Sequence, residues 1–537
     1  MKPDPQHTKI PGWQSLGHLL RAQALQMGDQ TLLCFEGRDL SFAQVESQTN
    51  QLANVIRTLG VQKGNKVAVM MPNGLEYPLC WLALAKLGAI MIPINIQYQA
   101  SELEFVLNNA EADIAIAGQQ QIEALKGLKS QCPSLREIVL FSMDSTISGT
   151  RNLYGEMEKA SKECGIDGVQ QDDLLNLQYT SGTTGFPKAC MLSHKYWLQL
   201  GQDMCIYARV TADDVDLTAQ PFYYMDPQWN VVLCMIAGIP LVILPRFSAS
   251  TFWKSVKDNR VTVFYVIATM PVYLLKQPVN PEIEKKHNVR LVMCSGIVPQ
   301  LHKVFEERWN TPWREVYGST ESGGDLGVPI EDNDSVGTGT VGIPFAGKAF
   351  KILDESGNEV PVGGQGELVI CGEPRMMGYY KNPQASAEKI RNGWLHTGDL
   401  FIKNKKGYYY IVGRLKDMVR RSGENISAAE VEGVLCEHPA VRAAAVVPVP
   451  DELRGEEVKA FIQLQPGENA DPQDIVDFAG SKLAAFKVPR FIEFIDRFNM
   501  TPSERIIKRD LLKNSQDQRQ DAYDATEKKW RMEKDEI

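Results

Sequence analysis

"YTSGTTGFPKACMLSH", residues 179–194, is the most informative pattern in the chain. Its central segment combines hydroxyl side chains, glycines and a lysine: Thr180, Ser181, Gly182, Thr183, Thr184, Gly185 and Lys188. Glycine lets backbone N–H groups approach a polyphosphate closely, hydroxyl groups add hydrogen-bond donors, and lysine adds positive charge. The spacing is not that of a Walker loop. The density of donors favours a phosphate-binding loop over a surface turn rich in Ser, Thr and Gly.

The bulk composition narrows the class of protein. A chain of 537 residues exceeds one ordinary core, so we expect at least two domains. A net charge of −9 gives no general attraction to nucleic acid or to an anionic membrane. The N-terminus has no apolar signal-peptide core, and the cysteines form no CxxC pair. We therefore expect a cytoplasmic protein without a disulfide framework or a zinc site.

Apolar runs in the first two thirds of the chain predict an α/β fold. The two longest, residues 77–94 and 229–245, are interrupted by Gly and Pro, and the first contains Lys86. We predict that each is a buried helix followed by a buried strand rather than a membrane span. Shorter runs such as "NKVAVMM" (65–71) and "VTVFYVI" (261–267) alternate with helical stretches. This alternation is typical of layered helices and largely parallel, buried strands.

The pattern of residues changes twice in the last third of the chain. After about residue 335, Gly-punctuated, hairpin-like segments indicate a β-rich subdomain. Beyond residue 427, a helix, two strands and a second helix indicate a small α+β domain. We predict an N-terminal domain over 1–413, a linking segment over 414–417 and a C-terminal domain over 418–515. The charged tail, 516–537, is expected to fray or to form a surface helix.

Three later segments extend the opening motif: "VYGSTESG" (316–323), "GWLHTGDL" (393–400) and "GRLKDMVRRSGENISAAEVE" (413–432). In this order, the four segments resemble the motifs of the adenylate-forming superfamily, which includes acyl-CoA synthetases, peptide-synthetase adenylation domains and firefly luciferase. The resemblance covers about residues 15–515. It implies that a small carboxylic acid reacts with ATP, with Mg²⁺ present, to give an acyl-AMP, and that CoA then displaces AMP. It also implies a C-terminal domain that rotates between these two steps.

The resemblance assigns roles to individual positions of the nucleotide site. The loop 180–188 would close over the β- and γ-phosphates, Tyr317 would stack on adenine, and Asp399 would hold both ribose hydroxyls with help from Arg414. A carboxylate accepts two hydroxyl donors, and an aromatic face suits base stacking. The remaining implied positions are Ser295 and Gly296 at the adenine, Gly318, Ser319 and Thr320 at the nucleotide and its phosphates, and Glu321 at Mg²⁺.

The chain departs from the family near its C-terminus. Members usually supply a lysine from a segment resembling TP-(S/T)-G-K, whereas this chain has "TPSERIIK" (501–508), with Glu504 and Arg505. Arginine keeps the positive charge but is planar and bulkier. Three outcomes stay open: Arg505 holds the reacting groups with a forked grip, Lys508 reaches in from a shifted loop, or adenylation is slow or lost.

The resemblance also implies a hinge and a CoA path. Lys416 occupies the hinge position, where backbone rotation would be concentrated. Gly423 and Glu424 would line the tunnel for the thiol. Arg420 and Arg421 are candidates for the CoA phosphates, with ordinary solvated surface as the alternative.

"TAQPFYYMDPQWN" (218–230) resembles the family's substrate-side motif, and Tyr224 replaces the histidine that many acyl-CoA synthetases carry. If they face the cavity, Tyr223, Tyr224, Asp226 and Trp229 form an acid with aromatic walls, which suits a quaternary ammonium group. Asp226 is otherwise a capping or turn acid before Pro227. The sequence of residues 421–432 is most similar to that of the crotonobetaine/carnitine-CoA ligase branch. A betaine-type acid, a short or medium aliphatic acid and an aromatic acid all stay open.

Two rival functions remain at this point. One is a degenerate relative that binds an adenylate without ligase activity, and the other is an acyl-AMP ligase that feeds a carrier protein. No carrier-protein "DSL" segment follows the C-terminal module. Many relatives are dimers, and the sequence leaves a homodimer open.

Overall fold

The structure, a computed structural model, describes residues 12–143, 147, 149–180, 187–267, 270–422, 424–500, 506–512 and 517–531, without the side chains of Lys416, Asn425 and Arg509. The described residues form two compact units. The first comprises residues up to 350 together with 370–395, and the second comprises 351–369 together with the residues from 396 onward. Both units mix helices and strands, so the predicted α/β class is confirmed. The predicted domain limits and the linking segment 414–417 stay predictions.

The helices are α1 (Leu16–Met27), α2 (Phe42–Thr58), α3 (Glu76–Leu87), α4 (Ala100–Ala110), α5 (Ile122–Leu128), α6 (Leu153–Met157), α7 (His194–Ala208), α8 (Met225–Ala237), α9 (Phe252–Asp258), α10 (Met270–Leu275), α11 (Pro281–Glu284), α12 (Pro299–Trp309), α13 (Pro383–Lys389), α14 (Ala428–Cys436) and α15 (Pro472–Gly480).

The strands are β1 (Thr31–Phe35), β2 (Arg38–Ser41), β3 (Lys66–Met70), β4 (Ile90–Pro93), β5 (Ile114–Ala117), β6 (Glu137–Leu140), β7 (Leu174–Thr180), β8 (Lys188–Ser193), β9 (Asp216–Thr218), β10 (Leu241–Ile243), β11 (Val263–Ile267), β12 (Leu291–Ser295), β13 (Trp313–Ser319), β14 (Gly323–Gly327), β15 (Thr340–Pro344), β16 (Ala349–Leu353), β17 (Gln365–Cys371), β18 (Ile390–Arg391), β19 (Trp394–Lys403), β20 (Tyr409–Arg414), β21 (Met418–Arg421), β22 (Glu424–Ser427), β23 (Val441–Asp451), β24 (Gly455–Leu464), β25 (Phe491–Phe494), β26 (Tyr523–Asp524) and β27 (Lys529–Trp530).

One sheet of the first unit has the order β6-β5-β3-β4-β7-β8 and is parallel except for the last pair. Alternate residues of β3 enter different cores: Val67 and Val69 join one cluster, whereas Ala68 and Met70 join another. Because both faces are covered, the strand is a continuous apolar run rather than an alternating one. This burial explains why the sequence signal was clear.

The second sheet of this unit follows the order β2-β1-β10-β9-β11-β12-β13-β14-β15. The strands from β1 to β13 along this path are parallel, and β2, β14 and β15 add antiparallel pairs. Both long apolar runs are a buried helix followed by a buried strand, α3 with β4 and α8 with β10, as predicted. Within the described residues, every helix is too short or too polar to cross a bilayer.

In the second unit, β16, β17, β19 and β20 follow the order β16-β17-β19-β20. A further sheet has the order β22-β21-β24-β25-β26-β27, with β23 paired to β24. The predicted succession of helix, strand, strand and helix is present as α14, β23, β24 and α15. Alternate residues of β23 enter two clusters, since Ala444 and Val446 lie in one and Ala445 and Val447 in the other.

The prediction for the tail is wrong over its described residues, 517–531. Instead of a frayed end or a helix, β26 pairs with β25 and then forms a hairpin with β27. Ala522 and Tyr523 are buried, and the fully buried Asp524 accepts two hydrogen bonds from Arg490, at 3.1 and 3.0 Å. Because the segment is mostly polar, its sequence has no apolar pattern from which these few anchoring contacts could be predicted.

A buried ion pair joins α2 and α3 in the first unit. Lys86 has no exposed side-chain surface, and its Nζ lies 2.5 Å from Glu46 Oε2 and 2.6 Å from Asn50 Oδ1. Burial lowers the pKa of Lys86 to about 8. The cation is retained because two oxygen acceptors replace its lost hydration.

We expect Lys86→Met to lower the free energy of unfolding of the first unit by about 3 kcal/mol, because Glu46 loses its buried counter-charge. Urea titration followed by tryptophan fluorescence measures this change. The control is Lys286→Met, which removes an exposed pair with Glu282 and should change stability by less than about 0.5 kcal/mol. Equal effects of the two substitutions would contradict the role of the buried pair.

Candidate active site

The ends of the predicted phosphate loop are held together by strand pairing. Thr180, the last residue of β7, is opposite Lys188, the first residue of β8, and its Oγ1 donates to the Lys188 carbonyl at 3.4 Å. Ser181, Gly182, Thr183, Thr184 and Gly185 lie outside the described residues. The antiparallel pair therefore delivers Thr180 and Lys188 to one point at the sheet edge.

Lys188 lies beside Tyr379, a residue that the sequence analysis did not identify. The Lys188 Nζ is 5.4 Å from the centre of the Tyr379 ring, and Tyr379 Oη donates to Glu321 Oε1 at 2.7 Å. Burial and the Glu321 charge raise the pKa of Tyr379. The predicted phosphate lysine and the predicted metal ligand thus share one aromatic neighbour. The sequence signal for it was weak, an aromatic pair after Gly378.

Thr320 and Glu321 lie in the turn between β13 and β14. The Tyr196 hydroxyl donates to the Thr320 carbonyl at 3.0 Å, and the Ser319 and Ser322 hydroxyls are 2.8 Å apart. At Gly318 a Cβ atom would lie 2.1 Å from the Gly323 carbonyl oxygen, so the hairpin requires glycine there. These contacts fix the backbone that carries the predicted nucleotide residues.

A buried cation stabilises the same hairpin. Lys348 Nζ donates to Asp325 Oδ1 at 2.6 Å and to the carbonyls of Ser322 and Gly324 at 2.5 and 2.8 Å. The side chains of Lys348 and Asp325 are fully buried. Three acceptors use all three donors of the ammonium group, which is how a buried charge is tolerated.

The predicted adenine segment follows β12 and is held by a carboxylate that sequence reasoning missed. Gly296 N and Ile297 N donate to the two oxygens of Glu315, at 2.7 and 2.6 Å. Burial raises the pKa of Glu315 to about 8. Ser295 Oγ donates to the Val316 carbonyl at 2.6 Å and accepts from Tyr265 at 2.9 Å. Ser295 and Gly296 therefore lie next to β13, the strand that contains Tyr317.

A network of buried side-chain amides anchors the predicted acid segment. Asn176 Oδ1 accepts from the indoles of Trp81 and Trp197 at 3.0 and 3.1 Å, and its amide donates to Gln228 at 2.8 Å. Gln228 donates in turn to the Phe222 and Tyr224 carbonyls, at 2.9 and 3.1 Å. Gln178 donates to the Tyr223 carbonyl at 2.7 Å. The backbone of 222–224 is thus bound directly to β7 and α8.

Three of the four predicted acid-pocket residues make aromatic contacts. The rings of Tyr223 and Tyr224 have centroids 4.8 Å apart, and Trp229 packs on Tyr265 with centroids 5.5 Å apart. Tyr224 Oη is buried and has no hydrogen-bond partner among the described residues. The sequence offered no sign of Tyr265, which lies 36 positions after Trp229 and is brought in only by β11.

Asp226 is half-buried in the first turn of α8, where an acid is favoured by the helix dipole. After burial, its charge is the largest contribution that raises the pKa of Tyr265. It also contributes to the raised pKa values of Tyr196 and Tyr224. Its charge thus acts on three tyrosines, and one of them, Tyr265, donates a hydrogen bond to Ser295 of the adenine segment.

In the second unit, Asp399 and Arg414 are cross-strand partners on β19 and β20. Arg414 Nε donates to Asp399 Oδ1 at 3.0 Å. Asp399 is 6% exposed, whereas the Arg414 side chain is 47% exposed. The structure brings these two predicted ribose residues together.

The predicted hinge and CoA residues have different surroundings. Residues Leu415–Asp417 form one 3-10 turn, in which the Lys416 side chain lies outside the description. The Arg420 side chain is 58% exposed and contacts Glu355 at 2.8 Å. Arg421 is buried, 2.8 Å from Glu457, and donates to the Phe486 carbonyl at 2.9 Å. Glu424 begins β22, and Gly423 lies outside the described residues.

Lys508 is held within the second unit. Its Nζ lies 2.7 Å from Glu432 Oε1 and 3.9 Å from Asp417 Oδ2. Burial raises the pKa of Glu432. Arg505 lies outside the described residues, so the choice between Arg505 and Lys508 stays a prediction.

Comparison with known proteins agrees with this geometry. The family model described as AMP-binding enzyme matches residues 20–380, and the AMP-binding enzyme C-terminal domain matches residues 430–505. Crotonobetaine/carnitine–CoA ligases of Salmonella paratyphi A and Citrobacter koseri are each 31% identical to the chain, over 94% of its length and 99% of theirs.

Solved structures match over a similar span. The anthranilate CoA ligase AuaEII in complex with anthranoyl-AMP has a TM-score of 0.84 at 25% identity, over 94% of this chain and 98% of that one. ATP-bound MatB from Rhodopseudomonas palustris has a TM-score of 0.83 at 25% identity, over 93% and 98%. The chain therefore belongs to the AMP-binding enzyme family of the adenylate-forming superfamily and is an AMP-forming acyl-CoA synthetase, an acid–thiol ligase that uses ATP and CoA.

Proposed function

We propose that the acid activated by this ligase carries a fixed positive charge, as carnitine and crotonobetaine do. The observation that carries the proposal is the half-buried Asp226 carboxylate in the first turn of α8, in a segment whose Tyr223 and Tyr224 rings pack together and whose Trp229 packs on Tyr265. The names of the 31% identical relatives support the same class of acid.

The physical argument concerns charge and aromatic ring faces. A half-buried carboxylate attracts a quaternary ammonium group more strongly than a fully hydrated carboxylate would. Each well-placed ring face adds about 0.5–2 kcal/mol. The Tyr224 hydroxyl, which has no hydrogen-bond partner among the described residues, would be one further donor for a polar substrate.

In the first half-reaction, a carboxylate oxygen of the acid attacks the α-phosphorus of ATP and pyrophosphate leaves. Negative charge must be neutralised at the phosphates, and we assign this task to Lys188 and the loop 180–185. Tyr317 would stack on adenine beside Ser295 and Gly296. Thr320, with Gly318 and Ser319, would contact the nucleotide, and Asp399 and Arg414 would hold the ribose.

Mg²⁺ would be held by Glu321. Within the described part of the chain, no three His, Cys, Asp or Glu side chains are grouped closely enough to form a metal site by themselves. One carboxylate completed by phosphate oxygens and water is the arrangement that Mg²⁺ prefers. When bound, the ion would neutralise charge on the phosphates, and Tyr379 would orient the Glu321 carboxylate.

In the second half-reaction, the CoA thiol attacks the acyl carbonyl and AMP leaves. We assign the hinge to Lys416 and the thiol path to Gly423 and Glu424. Arg420 is the better of the two candidates for the CoA phosphates, because its guanidinium is exposed whereas Arg421 is enclosed with Glu457.

The proposal for Asp226 predicts a selective loss in Asp226→Asn. We expect kcat/KM for γ-butyrobetaine to fall at least tenfold, about 1.4 kcal/mol, because the counter-charge is lost. With 5,5-dimethylhexanoate, which replaces the nitrogen by carbon, the change should stay within about twofold. Acyl-CoA formation measures both, and equal losses, or wild-type preference for the neutral acid, would contradict the proposal.

We assign to Arg505 the positive charge that the family supplies by lysine, and the ion pair of Lys508 with Glu432 supports this choice. Arg505→Ala should slow ATP–pyrophosphate exchange by about 100-fold, since charge stabilisation at the α-phosphate is lost. Thioester formation from synthetic acyl-AMP should change little. Lys508→Gln is the control, and a larger loss of exchange in this variant than in Arg505→Ala would reverse the assignment.

The Tyr379–Glu321 hydrogen bond predicts a Mg²⁺ phenotype. Tyr379→Phe should raise the Mg²⁺ concentration for half-maximal activity about tenfold, because Glu321 loses the donor that orients it. The control is Tyr380→Phe, whose hydroxyl contacts Glu111 and Lys66 instead. A tenfold rise in both variants, or in neither, would show that Tyr379 does not act through Glu321.

A further inference from the structure

A cavity of about 310 Å³ lies between the second half of α7 and strands β14 and β15. Its volume is that of a small ligand pocket. Its lining is Asp203, Ile206, Tyr207, Arg209, Gly327, Pro329, Ile330, Ile343, Pro344, Phe345 and Ala346. Most of these residues are apolar, and Asp203 is the single acid.

Asp203 is 7% exposed, and only one of its oxygens is satisfied. Oδ1 accepts from Gln199 Nε2 at 2.6 Å, whereas Oδ2 is buried and has no hydrogen-bond partner among the described residues. Burial raises the pKa of Asp203 to about 7. Because Asp203 lines the cavity and burial disfavours its ionised form, a positive charge placed in the cavity would stabilise the carboxylate.

Aromatic rings form the wall of the cavity. Tyr207 and Phe345 stack with centroids 4.9 Å apart and planes 28° apart, and the Tyr207 hydroxyl already donates to the Val328 carbonyl at 2.8 Å. Arg209 forms an exposed ion pair with Glu331. An acid, ring faces and aliphatic groups together select a compact cation with an apolar body.

The positively charged side chains near Asp203 already have other partners, so a cation that pairs with Asp203 would have to be a ligand. Lys348 favours the ionised form of Asp203, but its three donors are used by Asp325, Ser322 and Gly324. Tyr223, Tyr224, Asp226 and Trp229, the residues assigned to the acid, do not line the cavity. At Gly324 a Cβ atom would lie 2.9 Å from Phe345 and 3.3 Å from Met204, so close packing borders the cavity on this side.

We propose that this cavity binds a small organic cation, a protonated amine with a short apolar body, through Asp203 and the Tyr207–Phe345 wall. The site is additional to the acid and nucleotide sites. It borders β14, which begins two residues after Glu321.

Calorimetric titration of the full-length protein with cyclohexylammonium at pH 8 tests the proposal. We expect binding at least tenfold tighter than that of cyclohexanol. Asp203→Asn should weaken it at least tenfold, whereas Asp226→Asn should leave it within twofold. A dissociation constant above about 10 mM, no effect of Asp203→Asn, or a loss only in Asp226→Asn would each overturn the proposal.

A second variant tests the proposal independently, in case Asp203→Asn does not fold. Ala346 is an exposed lining residue, and Ala346→Met narrows the cavity without altering a buried charge. We expect it to weaken cyclohexylammonium binding at least fivefold while acyl-CoA synthesis is retained. Unchanged binding in this variant would place the amine elsewhere.

The pH dependence gives an independent measurement. Gln199 and Cys205 of α7, Lys348, Asp325 and the cavity residue Arg209 are the polar and charged groups around Asp203. Because the amine stays protonated and Asp203 must be ionised to bind it, the affinity should rise about tenfold from pH 6 to pH 8. Affinity that is flat or falls over this range would exclude the carboxylate as the ligand's partner.

Discussion

The arrangement of the first unit depends on the buried amides Asn176, Gln178 and Gln228. Each buried amide must find partners, and here they satisfy one another, two tryptophan indoles and the backbone of 222–224. The same strand, β7, ends at Thr180, where the predicted phosphate loop begins. The network therefore links β7 to the acid segment without using the side chains that are assigned to ATP or to the acid.

A second constraint is that ionisable side chains buried inside this unit need partners. Glu315 accepts two backbone donors, Asp325 has Lys348, and Glu46 has Lys86. Each of these three buried acids thus has a hydrogen-bond donor or a counter-charge that offsets part of its desolvation. Asp203 is different, because one of its oxygens has no hydrogen-bond partner among the described residues, and we propose a cationic ligand for the cavity that it lines.

The C-terminal departure from the family keeps charge while changing shape. Arg505 replaces a compact ammonium by a planar guanidinium. Lys508, the other basic residue of the segment, is held by Glu432 and Asp417. Since the family assignment rests on the match over nearly the whole chain, one altered motif does not weaken it.

Local patterns in the amino-acid sequence were sufficient for the α/β class, for the buried nature of α3, α8 and the strands that follow them, and for the membership of the adenylate-forming superfamily. These properties depend on periodicity, apolar run length and motif order, which short segments encode by themselves. Only the tertiary structure joined Tyr379 to Glu321, 58 positions apart, placed Glu315 on the Gly296 backbone, and turned a polar tail into a paired hairpin anchored by Asp524. Such contacts arise when distant strands become neighbours, and a carboxylate or a tyrosine carries no local mark of the partner that it will meet.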